Sequence, residues 1–182
     1  MLYHVSISAY EPARVAEVLA RIWGGEAHPF PPLEGAYVAL AGDDRGTLIE
    51  VHPFGIDMVP GATETSYARN PDADRHSTSH QAIGTNLSED AVVAIAQGEG
   101  WQARRCNRGP FEVIEVWLEN RILIEVLTPE MQRQYLAAIT IPNWRTFVAE
   151  QTTAPTPATT PLPSLRSDTG SEAERMARAA TH

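Results

Sequence analysis

Leu48-Ile49-Glu50-Val51 recurs as Leu123-Ile124-Glu125-Val126, at an offset of 75 residues. Each copy is soon followed by proline, at Pro53 and Pro129. Upstream, His4-Val5-Ser6-Ile7-Ser8 is echoed by His80-Gln81-Ala82-Ile83-Gly84, at an offset of 76. Each half therefore opens on a histidine and closes on a glutamate, 46 residues apart in the first half and 45 in the second. Two matched landmarks at nearly one offset mark a duplicated unit, which must be recognised before any single element is assigned.

The stretches between the landmarks also correspond. Residues 2–9 alternate, with Tyr3, Val5 and Ile7 on one face and His4, Ser6 and Ser8 on the other. That period of two predicts a strand. Pro12 opens a helix, where its missing N–H is harmless. Val15, Val18, Leu19 and Ile22 form its apolar stripe, and Gly24-Gly25 ends it. Strands are expected near 26–30, 36–41 and 47–52. In the second half, 79–85 reads as a strand, and Ser88-Glu89-Asp90 caps a helix running to about Gln97. Strands follow near 101–107, 111–119 and 121–127. The expected architecture is α+β, two tandem β-α-β-β-β modules over 1–54 and 79–129. Residues 55–78, rich in Gly, Pro, Asp, Asn, Ser and Thr, are expected to be linker and loop. After Pro129, residues 130–150 are expected to form a C-terminal helix and extension, the helix running from Glu130 to Ala138 and residues 139–149 packing loosely or joining an edge. From 151 to 182 the chain turns Thr- and Pro-rich and is expected to be disordered.

Charge narrows the partners. The 182 residues carry 14 basic side chains, all arginine, against 23 acidic ones, a net charge of −9. An acidic chain is a poor match for phosphate backbones or anionic lipid, so no nucleic acid and no membrane partner is expected. A lone Cys106 excludes an intrachain disulfide and a cysteine zinc cluster. Met1-Leu2-Tyr3-His4 has no basic n-region and no long apolar run follows, so a cytoplasmic protein is expected.

The landmarks carry the chemistry. His4 shares a strand face with Ser6 and Ser8, and Glu50 with Leu48 and His52. A carboxylate in the middle of an apolar strand is expensive to bury unless paired or metal-bound, and here it occurs twice. Two imidazoles and two carboxylates suit one divalent ion: Zn, Ni, Co, Mn or Fe. His4, Glu50, His80 and Glu125 are thus the candidate metal ligands. Pseudo-twofold symmetry would bring both His–Glu pairs to one ion with positions left open, the mark of a catalytic site.

Paired β-α-β-β-β modules, each with a His on its first strand and a Glu on its last, resemble the vicinal oxygen chelate superfamily of glyoxalases, bleomycin-resistance proteins and extradiol dioxygenases. The resemblance covers roughly residues 1–129 and rests on His4, Glu50, His80 and Glu125. It implies cupped sheets whose concave faces hold the metal, with modules pairing within a chain or across a homodimer. The ligand set is most similar to the glyoxalase I branch. That implies a metal-dependent lyase or isomerase working on a small oxygenated metabolite through an enediolate, with Glu50 or Glu125 as general base. The same resemblance implies two alternatives. An Fe(II) extradiol-type dioxygenase needs only a His, His, Glu triad. A non-enzymatic small-molecule or antibiotic-binding protein needs no metal.

Further residues are candidates for lining a substrate. His52 lies two residues beyond Glu50 on the same face. Arg104 and Arg105 lie on one strand, so one of them faces the cup, and Arg105 would suit an acidic group there. Glu115 and Trp117 share a face, with Trp117 as an apolar wall, while Ile114, Val116 and Leu118 face the helices. His76 could replace His80; His28 and His182 read as incidental, and Cys106 as a small buried hydrophobe.

Overall fold

The computed structural model describes residues 2–153. The chain divides into two compact units, Met1–Asn143 and Trp144–His182. The first unit holds both modules. The first module runs β1 (His4–Ala9), α1 (Pro12–Trp23), β2 (Glu26–Pro29), β3 (Tyr37–Leu40) and β4 (Leu48–Pro53). A hairpin follows, β5 (Ile56–Pro60) and β6 (Thr65–Arg69). The second module runs β7 (Gln81–Gly84), α2 (Glu89–Gly98), β8 (Ala103–Asn107), β9 (Glu112–Leu118) and β10 (Ile122–Leu127), and α3 (Pro129–Ala138) comes after it. The expected β-α-β-β-β order is present in both halves.

The two sheets have the same topology, β1-β4-β3-β2 and β7-β10-β9-β8. In each, the first strand pairs in parallel with the last, and the remaining pairs are antiparallel. The helix between first and second strands makes the crossover that a parallel pair requires. Helix α1 buries Val15, Val18, Leu19 and Ile22 against its sheet, each at most 1% exposed. Its two terminal glycines do different work. Gly24 takes the left-handed cap conformation at φ 74. A Cβ on Gly25 would fall 1.9 Å from the Leu40 carbonyl oxygen, so β3 can approach only a glycine there. In the second module Ile114, Val116 and Leu118 are buried as expected of the helix-facing side. Core residues of both modules belong to one contiguous cluster.

The segment expected as linker contains the β5–β6 ribbon. Its strands lack the alternating apolar run that marks a strand by sequence. A turn at Gly55 (φ 81) and the Asn70 N–H donating to the Gly55 carbonyl at 2.8 Å hold its base. The C-terminal extension also differs: helix α4, Ile141–Thr153, occupies the stretch expected to pack loosely or at an edge. By itself α4 exposes Ile141, Trp144, Phe147 and Val148. The tail expected to be disordered lies outside the described residues from 154 onward. Among the described residues, no helix is long and apolar enough to cross a membrane.

The modules are clasped by the β9–β10 turn, where Glu119 (φ 52) and Asn120 (φ 53) are left-handed. The Glu119 carboxylate accepts the Tyr10 and Glu11 backbone N–H groups, at 2.8 and 2.7 Å, at the entrance to α1. Next to it the Arg121 guanidinium, 3% exposed, bonds the Ser8 carbonyl and lies over the rings of Phe54 and Tyr10 at 4.8 and 5.4 Å. The Thr85 hydroxyl donates to the Ile22 carbonyl at the end of α1. Arg121→Ala removes a buried charged donor and two ring contacts. We expect it to lower unfolding free energy by about 2–3 kcal/mol, read as a lower urea midpoint at constant m-value. An Arg45→Ala control, at an exposed ion pair, should leave the midpoint nearly unmoved.

Candidate functional site

Register lays one row of four residues across each sheet. In the first module it is Ser6, Glu50, Val38 and His28. In the second it is Ala82, Glu125, Glu115 and Arg104. Glu50 and Glu125 thus occupy equivalent positions. His4 pairs with Leu48 and lies two residues ahead of Ser6, and His80 lies two residues ahead of Ala82. Both histidines are exposed.

The rows differ at one neighbour, and the chemistry differs with it. The Ser6 hydroxyl donates to Glu50 Oε2 at 2.8 Å. His52 Nε2 lies 3.3 Å from the same oxygen without a hydrogen bond to it or to any other group. His52 is 4% exposed. Phe30 stacks on it at 5.8 Å, and Tyr67 meets it edge-on at 5.7 Å. Tyr67 comes from the hairpin and could not have been placed here from sequence.

Ala82 has no donor to offer, and Glu125 is met instead by Arg108. Its Nε and Nη2 reach Glu125 Oε1 at 2.9 and 2.7 Å. Nη2 also reaches Glu115 Oε1 at 2.7 Å. On its other oxygen Glu115 accepts Arg104 Nε and Nη2 at 2.9 and 2.8 Å, and Trp117 Nε1 at 3.4 Å. The result is a ladder, Arg104–Glu115–Arg108–Glu125. Burial pushes the Glu115 carboxyl up, but the hydrogen bonds from Arg108, Arg104 and Trp117 outweigh it and hold it at about 2. The bonds to Glu115 and Glu125 raise Arg108 above the usual arginine range.

Arg104, not Arg105, is the arginine on this face. Alternation turns Arg105 away, where it bonds Glu112 and, at 3.0 Å, Glu89 at the start of α2. Arg108 was the residue sequence reading missed. It lies just beyond β8, but the alternation 104, 106, 108 extended past the strand end would have found it. Cys106 is half-buried.

Two His and two Glu suit a divalent ion by donor chemistry. Their geometry within one chain does not. Among the described residues, no three His, Cys, Asp or Glu side chains are grouped as a metal ion requires. Each module presents half of the donor set on its own face. A cleft of about 750 Å³ lies along α1, beside Arg14, Glu17, Arg21 and Glu99. A smaller cleft of about 180 Å³ touches the first row at Ser6 and is lined also by Ser8, Ser77 and Ser79.

No family model and no curated protein matches the chain. Among solved structures it is similar to the fosfomycin resistance protein FosX from Mesorhizobium loti, with 11% identity, 74% of this chain and 95% of that one covered, and a TM-score of 0.46. It is similar to the trypanothione-dependent glyoxalase I of Leishmania major, with 15% identity, 85% and 99% covered, and a TM-score of 0.45. It is similar to a possible glyoxalase from Bacillus cereus, with 16% identity, 69% and 96% covered, and a TM-score of 0.40.

The depressed Glu115 carboxyl makes a signed prediction. A carboxyl lower in the folded than in the unfolded chain stabilises the fold above its unfolded value of 4.5 and loses that contribution as pH falls toward about 2. We expect stability to drop across that window in the wild type. Glu115→Gln should show a smaller drop over the same window, both followed by urea unfolding at stepped pH.

Proposed function

We propose that the chain is a divalent-metal-dependent lyase or isomerase of the vicinal oxygen chelate kind, acting on a small oxygenated metabolite. Its centre forms where the half-sites of two copies meet: His4 and Glu50 of one, His80 and Glu125 of the other. The observation that carries this reading is the matched register, which places one His and one Glu on the same face of each sheet at equivalent positions. The exposure of both histidines leaves them open to a second copy.

The bound ion would supply Lewis-acid polarisation of adjacent substrate oxygens. The chain's own residues then divide the work. Glu125 is tied by two N–H groups of one guanidinium and serves as the fixed carboxylate. Glu50 is held by one hydroxyl, which leaves it freer to swing and take a proton from the carbon beside the bound oxygens. Ser6 orients Glu50 for that transfer.

Arg108 favours a second reading. It already sets a cation against Glu125, so the cups could bind a small molecule with no metal. Elemental analysis and sedimentation of the wild type, Glu125→Ala and Arg108→Ala separate the two. We expect about one equivalent of Ni, Zn, Co or Mn per chain in a dimer, lost in Glu125→Ala and kept in Arg108→Ala. No metal in any of the three after reconstitution would overturn the metal reading and leave the binding protein. Iron with dioxygen uptake would replace the isomerase by a ring-cleaving dioxygenase.

A further inference from the structure

We propose that Phe30, Glu50 and His52 form a subsite for a planar ligand bearing an O–H or N–H donor, and that Tyr67 of the β5–β6 hairpin occupies it as a plug. Buried polar side-chain atoms are nearly always hydrogen-bonded. His52 Nε2 is not, although it lies 3.3 Å from Glu50 Oε2 and the residue is 4% exposed. With its proton on Nδ1 the imidazole offers Nε2 as an acceptor beside the carboxylate, and that pair next to a stacked ring suits a flat molecule with a donor on its edge. Tyr67 is flat and stands at that edge, at 79° to the imidazole.

A two-stranded ribbon is marginal by itself. In β6, Thr65, Ser66, Ala68 and Arg69 are exposed, and Tyr67 alone is drawn in. In β5 its pairing partner Met58 is exposed as well. The ring contact with His52 is one tie of the ribbon, beside half-buried Ile56 and Val59 of β5, and breaking it uncovers the imidazole. The subsite shares Glu50 with the proposed centre but uses neither His80 nor Glu125 and needs no metal, so labelling of His52 in metal-free protein reads the subsite while metal content reads the centre.

Acylation of histidine by diethyl pyrocarbonate reads the cover directly. Trypsin would release Gly46–Arg69, with His52 as its sole histidine, and Ile22–Arg45, with the exposed His28 as an internal reference. In the wild type, His52 should label far more slowly than His28. Tyr67→Ala should speed His52 labelling roughly tenfold, the factor expected when an aromatic contact is lost from an opening equilibrium. Phenol added to Tyr67→Ala should slow it again. Hydrogen exchange at β1 and β4 amides checks that the fold is kept. If Tyr67→Ala does not fold, Met58→Pro loosens the ribbon from its exposed side and should speed labelling likewise. Unchanged labelling in a folded variant overturns the plug, and phenol without effect on the uncovered His52 overturns the subsite.

Discussion

Each sheet is closed by a parallel contact between strands far apart in sequence, and every feature of the two faces follows from that pairing. Once Ser6 stands beside Glu50 and Ala82 beside Glu125, the residues facing each carboxylate are fixed. A slip of one position would turn both glutamates toward the helices, where Ile49, Val51, Ile124 and Val126 now pack. Burial of those four aliphatic side chains excludes the alternative register. The hydrophobic core thus places the polar rows as a consequence of its own packing.

The duplicated rows diverge because a withdrawn carboxylate must find a partner. In the first module the Ser6 hydroxyl suffices, and Glu50 remains lightly held. In the second, Ala82 offers nothing, and the requirement passes to Arg108. That guanidinium spans Glu125 and Glu115, and Arg104 balances the remaining charge. The exposed guanidinium groups of Arg104 and Arg108 alternate with two carboxylates withdrawn from water, which would be costly to bury unpaired. One cup is consequently rigid and ionic, the other lightly bonded and aromatic. This asymmetry, rather than the symmetry of the repeat, sets how firmly each glutamate is held.

The contacts between the modules obey the same economy of partners. The first backbone N–H groups at a helix entrance have no acceptor of their own, and Glu119 from the other module supplies one for the entrance to α1. Arg121 follows it into the interior, where ring faces and a carbonyl replace a counter-ion. Both residues depend on the left-handed turn at Glu119 and Asn120, which points them back across the first module.

The sequence by itself determined the duplication, the element order of both modules and the α1 stripe. These are local properties: a period of two or of 3.6 and a repeated tetrapeptide depend only on neighbours along the chain. It missed the β5–β6 ribbon because that strand pair carries no apolar alternation, and missed α4 because its weakly patterned residues resemble a loose extension. It could not choose Arg104 over Arg105, find Arg108, or bring Tyr67 to His52. Those depend on where strands end and on how a turn redirects the chain, and distances between residues remote in sequence are settled only when the whole core packs. The tertiary structure alone decided that the four metal-suited residues stand as two separate pairs in one chain, because each pair is fixed to its own sheet.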